Sequence, residues 1–249
     1  MELYENERID RLYSNEVQII QSAEVFSFSL DAVLLAHFTS ALRKENGKLV
    51  DLCAGNGAVG LFLTEKVTGQ IIEVEVQERL SDMARRSIEL NNLENRVKML
   101  NIDLNTATEF IKKDSVDIVT CNPPYFSDLP TSKKNDNPYL AIARHEISVN
   151  LERIIEVTSD LLKMNGKAYF VHRPERAAEI FELMRKHRLA PKKVQLVHPK
   201  KEKEANMILI EAIKDGRPNG IRFMPAIVVY DRSNEYTPLL REILYGKNE

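Results

Sequence analysis

The segment Asn122-Pro123-Pro124-Tyr125 combines side chains that could recognise a flat ring bearing an amino group. It follows an apolar, β-branched run at residues 116–121, which predicts a buried strand. Neither proline has an N–H with which to extend a sheet, so the pair predicts a stiff loop just beyond that strand, where ligands of open α/β sheets bind. There the Asn122 amide and a main-chain carbonyl could accept from an –NH2 group while the Tyr125 ring stacks on the base. The alternative is a Pro-Pro turn with an incidental tyrosine.

A glycine-rich segment between a predicted strand and a predicted helix is the second candidate site. Gly55, Gly57 and Gly60 form the pattern G-x-G-x-x-G, which allows a tight turn and close approach of the backbone, Asn56 included, to a ligand. The pattern alone also fits dinucleotide-binding proteins. Asp51 could meet the ammonium or amine of an amino-acid moiety, whereas a pyrophosphate would gain nothing from it, so S-adenosyl-L-methionine is favoured over NAD. The alternatives are a turn without a ligand and a loop-stabilising acceptor at Asp51.

Two further polar residues follow predicted strands and complete this candidate cofactor site. Glu75 lies at the end of a strand predicted over residues 71–76, where its carboxylate could take both ribose hydroxyls of either cofactor. Asp103 follows a strand predicted over residues 97–101 and could accept from the adenine amine of the cofactor, or else cap a helix. Asn122 is expected to lie at the same edge and to border the cofactor.

The composition indicates an ordinary soluble globular chain of 249 residues, with 43% hydrophobic and 29% charged residues. No apolar run approaches the ~20 residues needed to span a bilayer, and the acidic N-terminus has no apolar signal core, so we expect a cytoplasmic protein and no membrane partner. Cys53 and Cys121 are expected as reduced thiols at strand ends, and no Cys/His spacing indicates a metal site.

Charge is uneven although the formal net charge is only -2. Residues 185–204 carry eight basic and two acidic side chains, a local net charge of +6. Such a segment is either a solvated surface or a face that binds phosphates. On the second interpretation, four lysines are candidate nucleic-acid contacts: Lys192, Lys193, Lys200 and Lys201.

Strand and helix patterns alternate after residue 47. The predicted strands are 48–53, 71–76, 97–101, 116–121, 167–172, 194–198 and 206–213, and the predicted helices are 31–42, 58–66, 79–91, 106–112, 151–164 and 175–187. The pattern predicts an α/β, Rossmann-like, doubly wound sheet of seven strands, mostly parallel with an antiparallel last strand. Residues 1–46 are expected as a short N-terminal cover, 47–215 as a catalytic core and 216–249 as a C-terminal extension of one domain.

The order of these motifs resembles that of class I S-adenosyl-L-methionine-dependent methyltransferases, and Asn-Pro-Pro-Tyr resembles the catalytic loop of those that methylate nitrogen. Further segments resemble the bacterial valine-tRNA adenine-N6 methyltransferase family over nearly the whole chain: Phe28-Ser29-Leu30-Asp31-Ala32-Val33-Leu34-Leu35, Ala143-Arg144-His145-Glu146, His172-Arg173-Pro174-Glu175-Arg176 and Glu235-Tyr236-Thr237. The resemblance implies a tRNA substrate methylated at an adenine, with Asn122, Pro123 and Tyr125 as catalytic residues.

Several alternatives stay open from the sequence alone. The substrate could be an adenine in rRNA or DNA or a release-factor glutamine, although only about fifty residues precede the glycine loop, where release-factor enzymes carry a long helical domain. A non-catalytic nucleotide-binding module is a further alternative. Arg144, His145 and Glu146 could contact substrate or form a structural pairing, and Tyr236 could serve C-terminal packing. The oligomeric state is open between monomer and homodimer.

Overall fold

A nine-stranded sheet forms the centre of the protein. The computed structural model describes residues 3–12, 17–25, 29–125 and 149–246. The strands of the sheet are β3 (Lys48–Leu52), β4 (Gln70–Glu75), β5 (Val97–Asn101), β6 (Val116–Cys121), β7 (Leu162–His172), β8 (Leu189–Lys200), β9 (Met207–Lys214), β10 (Arg222–Phe223) and β11 (Ile227–Tyr230). Their order is β10-β8-β9-β7-β6-β3-β4-β5, and β11 also pairs with β8.

The predicted fold class is confirmed. Strand β9 is antiparallel to β7 and β8, and every other pairing in the sheet is parallel. The seven predicted strands are all present, and β10 and β11 add two short strands beyond β8. The central strands β3 and β6 are buried almost throughout because helices cover both faces of the sheet.

Helices pack on the two faces of the sheet through separate apolar clusters. The helices are α1 (Leu30–Phe38), α2 (Ala58–Phe62), α3 (Glu78–Leu90), α4 (Ala107–Phe110), α5 (Leu151–Leu161), α6 (Ala177–Lys186) and α7 (Pro238–Tyr245). Helices α1, α2, α3 and α7 contribute to the core on one face, and α4, α5 and α6 to the core on the other. In the described part of the chain, no helix is both long enough and apolar enough to cross a bilayer.

The N-terminal cover contains an antiparallel hairpin of β1 (Glu7–Leu12) and β2 (Val17–Ser22) that the sequence did not predict as a pair. Strand β2 lies against α3, where the Ser87 hydroxyl accepts from the Ile20 N–H at 2.9 Å. The Arg86 guanidinium donates to both Glu7 carboxylate oxygens at 2.7 and 2.8 Å. These contacts hold the hairpin close to the glycine loop.

Several predicted boundaries are wrong. Helix α1 ends at Phe38, four residues before its predicted end, because Thr39 is extended and its hydroxyl donates to the Leu35 carbonyl. Strand β8 begins at Leu189, not residue 194, because Leu189 already pairs with Lys214 of β9. Helix α5 ends at Leu161, not residue 164, because Leu162 already pairs with Val116 in the sheet. The next pair joins Ile118 and Lys167, so residues 163–166 bulge opposite the single residue Asp117, and the Asn-Gly that predicted a helix stop lies in this bulge. Helix α2 ends at Phe62, four residues before its predicted end, and Ser29 precedes α1 without a side-chain capping bond.

Candidate active site

The glycine loop between β3 and α2 adopts a conformation that few residue types accept. Cys53, Gly55 and Gly57 have φ values of 57°, 58° and 81°, all in the left-handed region. A Cβ on Gly57 would lie 2.8 Å from the Glu73 carboxylate, and one on Gly60 would lie 2.0 Å from it. A Cβ on Gly55 would meet nothing within 4 Å. The loop is therefore packed on the Glu73 side and open at Gly55, where a ligand can approach its backbone.

Asp51 offers a buried acceptor to such a ligand. Asp51 is the penultimate residue of β3 and is 1% exposed, and its Oδ1 accepts from the Thr120 hydroxyl at 2.6 Å. Among the described residues, Oδ2 has no hydrogen-bond partner. Burial, reinforced by the charge of Glu75 and opposed by the Thr120 hydrogen bond, raises the pKa of Asp51 to about 7. A buried carboxylate with a vacant acceptor is suited to a ligand ammonium.

Glu75 fixes the loop and keeps acceptor capacity. Its two oxygens accept from the Gly55 and Gln77 N–H groups at 2.8 and 2.9 Å. Each carboxylate oxygen has a second lone pair, so two ribose hydroxyls could still donate to this side chain. Burial raises the pKa of Glu75, although the backbone hydrogen bonds oppose that effect.

Asn56 and Asp103 have structural partners. The Asn56 amide donates to the Ile20 carbonyl at 3.1 Å, which ties the glycine loop to β2, so a cofactor contact would come from the Asn56 main chain. The Asp103 carboxylate accepts from the Asn105 N–H at 2.8 Å and caps the 3-10 turn Leu104–Thr106. Its second oxygen stays compatible with the predicted contact to a cofactor adenine. Together with Asp51 and Glu75, this set of acceptors fits S-adenosyl-L-methionine.

The Asn-Pro-Pro-Tyr segment follows β6 as expected, and its tyrosine has a partner that the sequence did not reveal. The Tyr125 hydroxyl lies 2.7 Å from Asn122 Oδ1 and also within hydrogen-bonding distance of the Asp31 carboxylate, in the first turn of α1. Burial, with the charge of Asp31, raises the pKa of Tyr125 well above its usual value. The phenol therefore stays protonated and acts as a donor.

His172 lies beneath this tyrosine at the end of β7. The two ring centroids are 5.2 Å apart at an interplanar angle of 55°. His172 Nδ1 accepts from the Arg173 N–H at 2.8 Å, and Nε2 has no partner among the described residues. Burial, with the charge of Arg176, lowers the pKa of His172 to about 4, so the imidazole is neutral at neutral pH. Asp31 and His172 both belong to segments that carried the family resemblance, and that was the available signal.

The four candidate lysines of the basic segment are not equivalent. Lys193 donates to the Glu211 carboxylate at 2.9 Å, and Lys192 donates to two main-chain carbonyls at 2.5 and 2.6 Å. Lys200 is partly exposed at the end of β8, and Lys201 is exposed in the turn that follows. The pairs thus differ in their availability to a ligand, and the second pair lies at the same carboxyl edge as Asn122.

Other predicted features are distributed as follows. Arg144, His145, Glu146 and the loop predicted at 127–138 lie outside the described residues. Cys53 and Cys121 are free thiols. Within the described ranges, no cluster of His, Cys, Asp or Glu side chains could hold a metal ion.

Comparison with known proteins gives a consistent family. The sequence profile of the methyltransferase small domain matches residues 16–195. The chain is 23% identical over 219 residues to a tRNA1(Val) (adenine(37)-N6)-methyltransferase of Parabacteroides distasonis, covering 85% of this chain and 88% of the relative. The corresponding protein of Bacteroides fragilis is 25% identical over 218 residues, with the same two coverages.

Solved structures show the same fold. A predicted O-methyltransferase from Agrobacterium tumefaciens superimposes with a TM-score of 0.67 at 23% identity, covering 88% of this chain and 100% of that one. A 16S rRNA guanosine-N2 methyltransferase of T. thermophilus, in complex with S-adenosyl-L-methionine and guanosine, gives 0.58 at 19% identity, covering 84% of this chain and 50% of that one. The profile match covers well over half of the chain, and the loop geometry fits the cofactor. The chain therefore belongs to the methyltransferase small domain family and is an S-adenosyl-L-methionine-dependent methyltransferase.

Proposed function

We propose that the protein methylates N6 of an adenine in tRNA, in the anticodon loop of valine tRNA. The observation that carries the proposal is the position of Asn122. Cys121 pairs with Leu52, so Asn122 begins its loop next to the start of the glycine loop. Asn122 Oδ1 is held by the Tyr125 hydroxyl at 2.7 Å. An oriented amide oxygen beside a cofactor loop is suited to an amino group as methyl acceptor.

The chemistry of an adenine explains why such acceptors are needed. Its N6 lone pair is delocalised into the ring and is a poor nucleophile. Asn122 Oδ1 and the Pro123 carbonyl would accept the two amino hydrogens, which orients the nitrogen and favours pyramidal character. S-adenosyl-L-methionine supplies a methyl group already activated on a sulfonium. No covalent intermediate with the protein is needed, and the methylated nitrogen can release its proton to water.

Tyr125 and Asp31 prepare this arrangement. The single hydroxyl proton of Tyr125 can be donated to only one acceptor at a time, and a carboxylate is the stronger acceptor. When the Tyr125 hydroxyl donates its hydrogen bond to Asp31, Asn122 Oδ1 is free to accept from the target amine. Stacking of the target base on the Tyr125 ring stays a prediction, with a contribution of about 1–3 kcal/mol.

The choice of tRNA is supported by the relatives and by the local charge. Relatives that cover most of the chain carry a tRNA1(Val) adenine-N6 name, at 23–25% identity. The overall charge of -2 requires a local basic face, for which Lys200 and Lys201 are available. A base in a single-stranded loop is the least costly to unstack. A tRNA substrate would place the reaction in the cytoplasm.

We also propose that the predicted segments 1–46, 47–215 and 216–249 work as one domain.

In the direct test, the protein is incubated with tritiated S-adenosyl-L-methionine and separate pools of tRNA, rRNA, DNA and peptide. The digested products are then analysed by mass spectrometry. The tRNA pool includes transcribed valine tRNA, which carries no earlier modification. We expect N6-methyladenosine in tRNA and none with an Asn122→Ala variant. N6-methyladenine confined to rRNA or DNA, or methylglutamine in peptide, would contradict the proposed substrate.

A further inference from the structure

A groove of about 700 Å³, to which six charged residues contribute, opens at the carboxyl edge of the sheet. Arg173, Lys200, Lys203, Asn206 and Tyr230 are among the residues that line it. They come from the ends of β7, β8 and β11 and from the start of β9. Strand β7 pairs directly with β6, which precedes Asn122, so the groove begins one strand away from the catalytic loop.

An aromatic platform stands at the far end of this groove. The Tyr230 and Tyr236 rings are stacked, with centroids 5.2 Å apart and an interplanar angle of 17°. The two residues also form an isolated antiparallel bridge, and Tyr236 packs on the main core. The partly buried Tyr236 ring therefore supports one face of Tyr230, while 36% of the Tyr230 surface stays exposed. A rigid, exposed aromatic face costs little entropy on binding a flat ligand.

The charges of the groove fit a single nucleotide better than a run of phosphates. Its basic side chains are balanced by three carboxylates: Glu175, Glu202 and Glu204. Carboxylates repel phosphates but accept from amino groups on base edges, and the Asn206 amide can do the same. Arg173 donates to the Asn206 carbonyl at 2.9 Å, which holds the guanidinium within the groove wall. Stacking face, cations and base-edge acceptors together are the components of a nucleotide site in single-stranded RNA.

Distances along the sheet agree with a flanking nucleotide. Strand β11 lies four strand positions from β6 in the order β11-β8-β9-β7-β6. At about 4.8 Å per strand, Tyr230 is roughly 19 Å from the start of the catalytic loop along the edge. That span is a few nucleotides of an extended RNA strand. We propose that this groove binds a nucleotide close in sequence to the target adenine, with its base stacked on Tyr230 and its phosphate beside Arg173, Lys200 and Lys203; this deepens, and rests on, the proposed tRNA function.

The test compares Tyr230→Ala and Tyr230→Phe with the wild-type protein on transcribed valine tRNA. Phe223→Ala is the matched control, because Phe223 is also an exposed aromatic residue on a short strand beside β8, with 70% of its surface exposed. Phe223 pairs with Val194, whereas Tyr230 pairs with Lys200, about 20 Å further along β8. We expect Tyr230→Ala to raise the Kd and KM for tRNA roughly ten- to hundredfold, the equivalent of one lost stacking contact. Tyr230→Phe keeps the ring and should stay within twofold, as should Phe223→Ala.

A second variant covers the case in which loss of the Tyr230 ring disturbs Tyr236 and the fold. In the double variant Lys200→Gln and Lys203→Gln, the slope of log Kd for tRNA against log salt concentration should decrease by between one and two. All variants should bind S-adenosyl-L-methionine with unchanged affinity.

The proposed function and the groove can fail separately. A wild-type protein that methylates no tRNA contradicts the proposed function, and the groove inference falls with it. If the wild-type protein methylates tRNA but both the Tyr230→Ala and the double-lysine variants bind it within twofold, the groove inference alone is overturned. Loss of binding in Tyr230→Phe equal to that in Tyr230→Ala would likewise refute stacking as the role of this ring.

Discussion

The raised pKa of Asp51 predicts that the affinity for S-adenosyl-L-methionine depends on pH in the neutral range. The ammonium of the ligand gains most from an ionised Asp51, and the pKa of this carboxyl is about 7 in the free protein. A proton must therefore leave Asp51 before the ion pair forms. The ionised fraction, and hence the affinity, should fall about fivefold between pH 7 and pH 6 and by close to tenfold for each further unit of pH below that.

The magnitude follows from this pKa. Half of the Asp51 carboxyls are ionised at pH 7 and about 3% at pH 5.5, so Kd should rise about fifteenfold between these two values. The amino group of the ligand stays protonated throughout, because its ordinary pKa is about 7.7–8.0. His172, with a pKa of about 4, does not titrate in this window. Burial and the charge of Asp51 raise the pKa of Glu73 well above its usual value.

Titration calorimetry with S-adenosyl-L-methionine at pH 5.5, 6.0, 6.5 and 7.0 measures the effect. The matched variant is Asp51→Asn, which keeps the shape and the Thr120 contact but cannot ionise. It should bind more weakly at pH 7, by roughly 1–3 kcal/mol, and its Kd should be nearly independent of pH. A wild-type Kd that changes less than threefold, or a variant with the wild-type slope, would refute the role given to Asp51.

Three further predictions concern other parts of the protein. Asn122→Ala should lower kcat about a hundredfold or more with unchanged cofactor affinity, and retention of most of the activity would contradict its role. Folding lowers the pKa of His172 from 6.5 to about 4, so its stabilising contribution is present above pH 6.5 and is lost as the pH falls towards 4. Relative to His172→Gln, the wild-type protein should therefore lose about 3 kcal/mol of unfolding free energy over that range, as measured by denaturant unfolding. An equal pH dependence of the unfolding free energy in the two proteins would argue against this. Replacing Lys200 and Lys201 with glutamate should weaken tRNA binding and flatten its salt dependence, whereas the exposed Lys98→Glu control should not; equal effects would point to overall charge.

The sequence was sufficient for the parts of the site that lie within one strand-loop unit. Asp51 and Glu75 lie at the ends of predicted strands and Asn122 follows one, and parallel strands bring their carboxyl ends to one edge. The tight turn was equally predictable, because Gly55 and Gly57 permit positive φ values. Local sequence therefore determined both the elements and the edge at which the candidate cofactor residues meet.

Contacts between distant segments were not predictable from periodicity. The Tyr125 hydroxyl meets Asp31, which is 94 residues away in sequence, and the Ile20 carbonyl meets Asn56 across 36 residues. A local charge count could not distinguish Lys193, which is paired with Glu211, from Lys201, which is exposed. The early start of β7 is also a tertiary effect. Pairing of Leu162 with Val116 of β6 ends helix α5 before the chain reaches the Asn-Gly segment that predicted the helix end.

The carboxylates of the sheet show how stability and ligand binding divide within one structural layer. The strand register aligns one residue of each neighbouring strand in a single row: Glu73, Asp51, Thr120, Tyr169, Glu211 and Lys193. Burial alone would raise the pKa of Glu211, but hydrogen bonds from Lys193 at 2.9 Å and Tyr169 at 2.7 Å lower it.

At the other end of the row, the pKa values of the carboxyls are raised instead of lowered. Burial raises the pKa of both Asp51 and Glu73, and three of their four oxygens have no partner among the described residues. Unpaired buried carboxyls disfavour folding as they ionise, so this cost appears as the pH rises from the ordinary aspartate value towards 7. A fold selected for stability alone would satisfy Asp51 as it satisfies Glu211. The unpaired Asp51 oxygen lies at the start of the glycine loop, where a cationic ligand would supply the missing partner, whereas the Glu73 carboxylate is packed against Gly57 and Gly60.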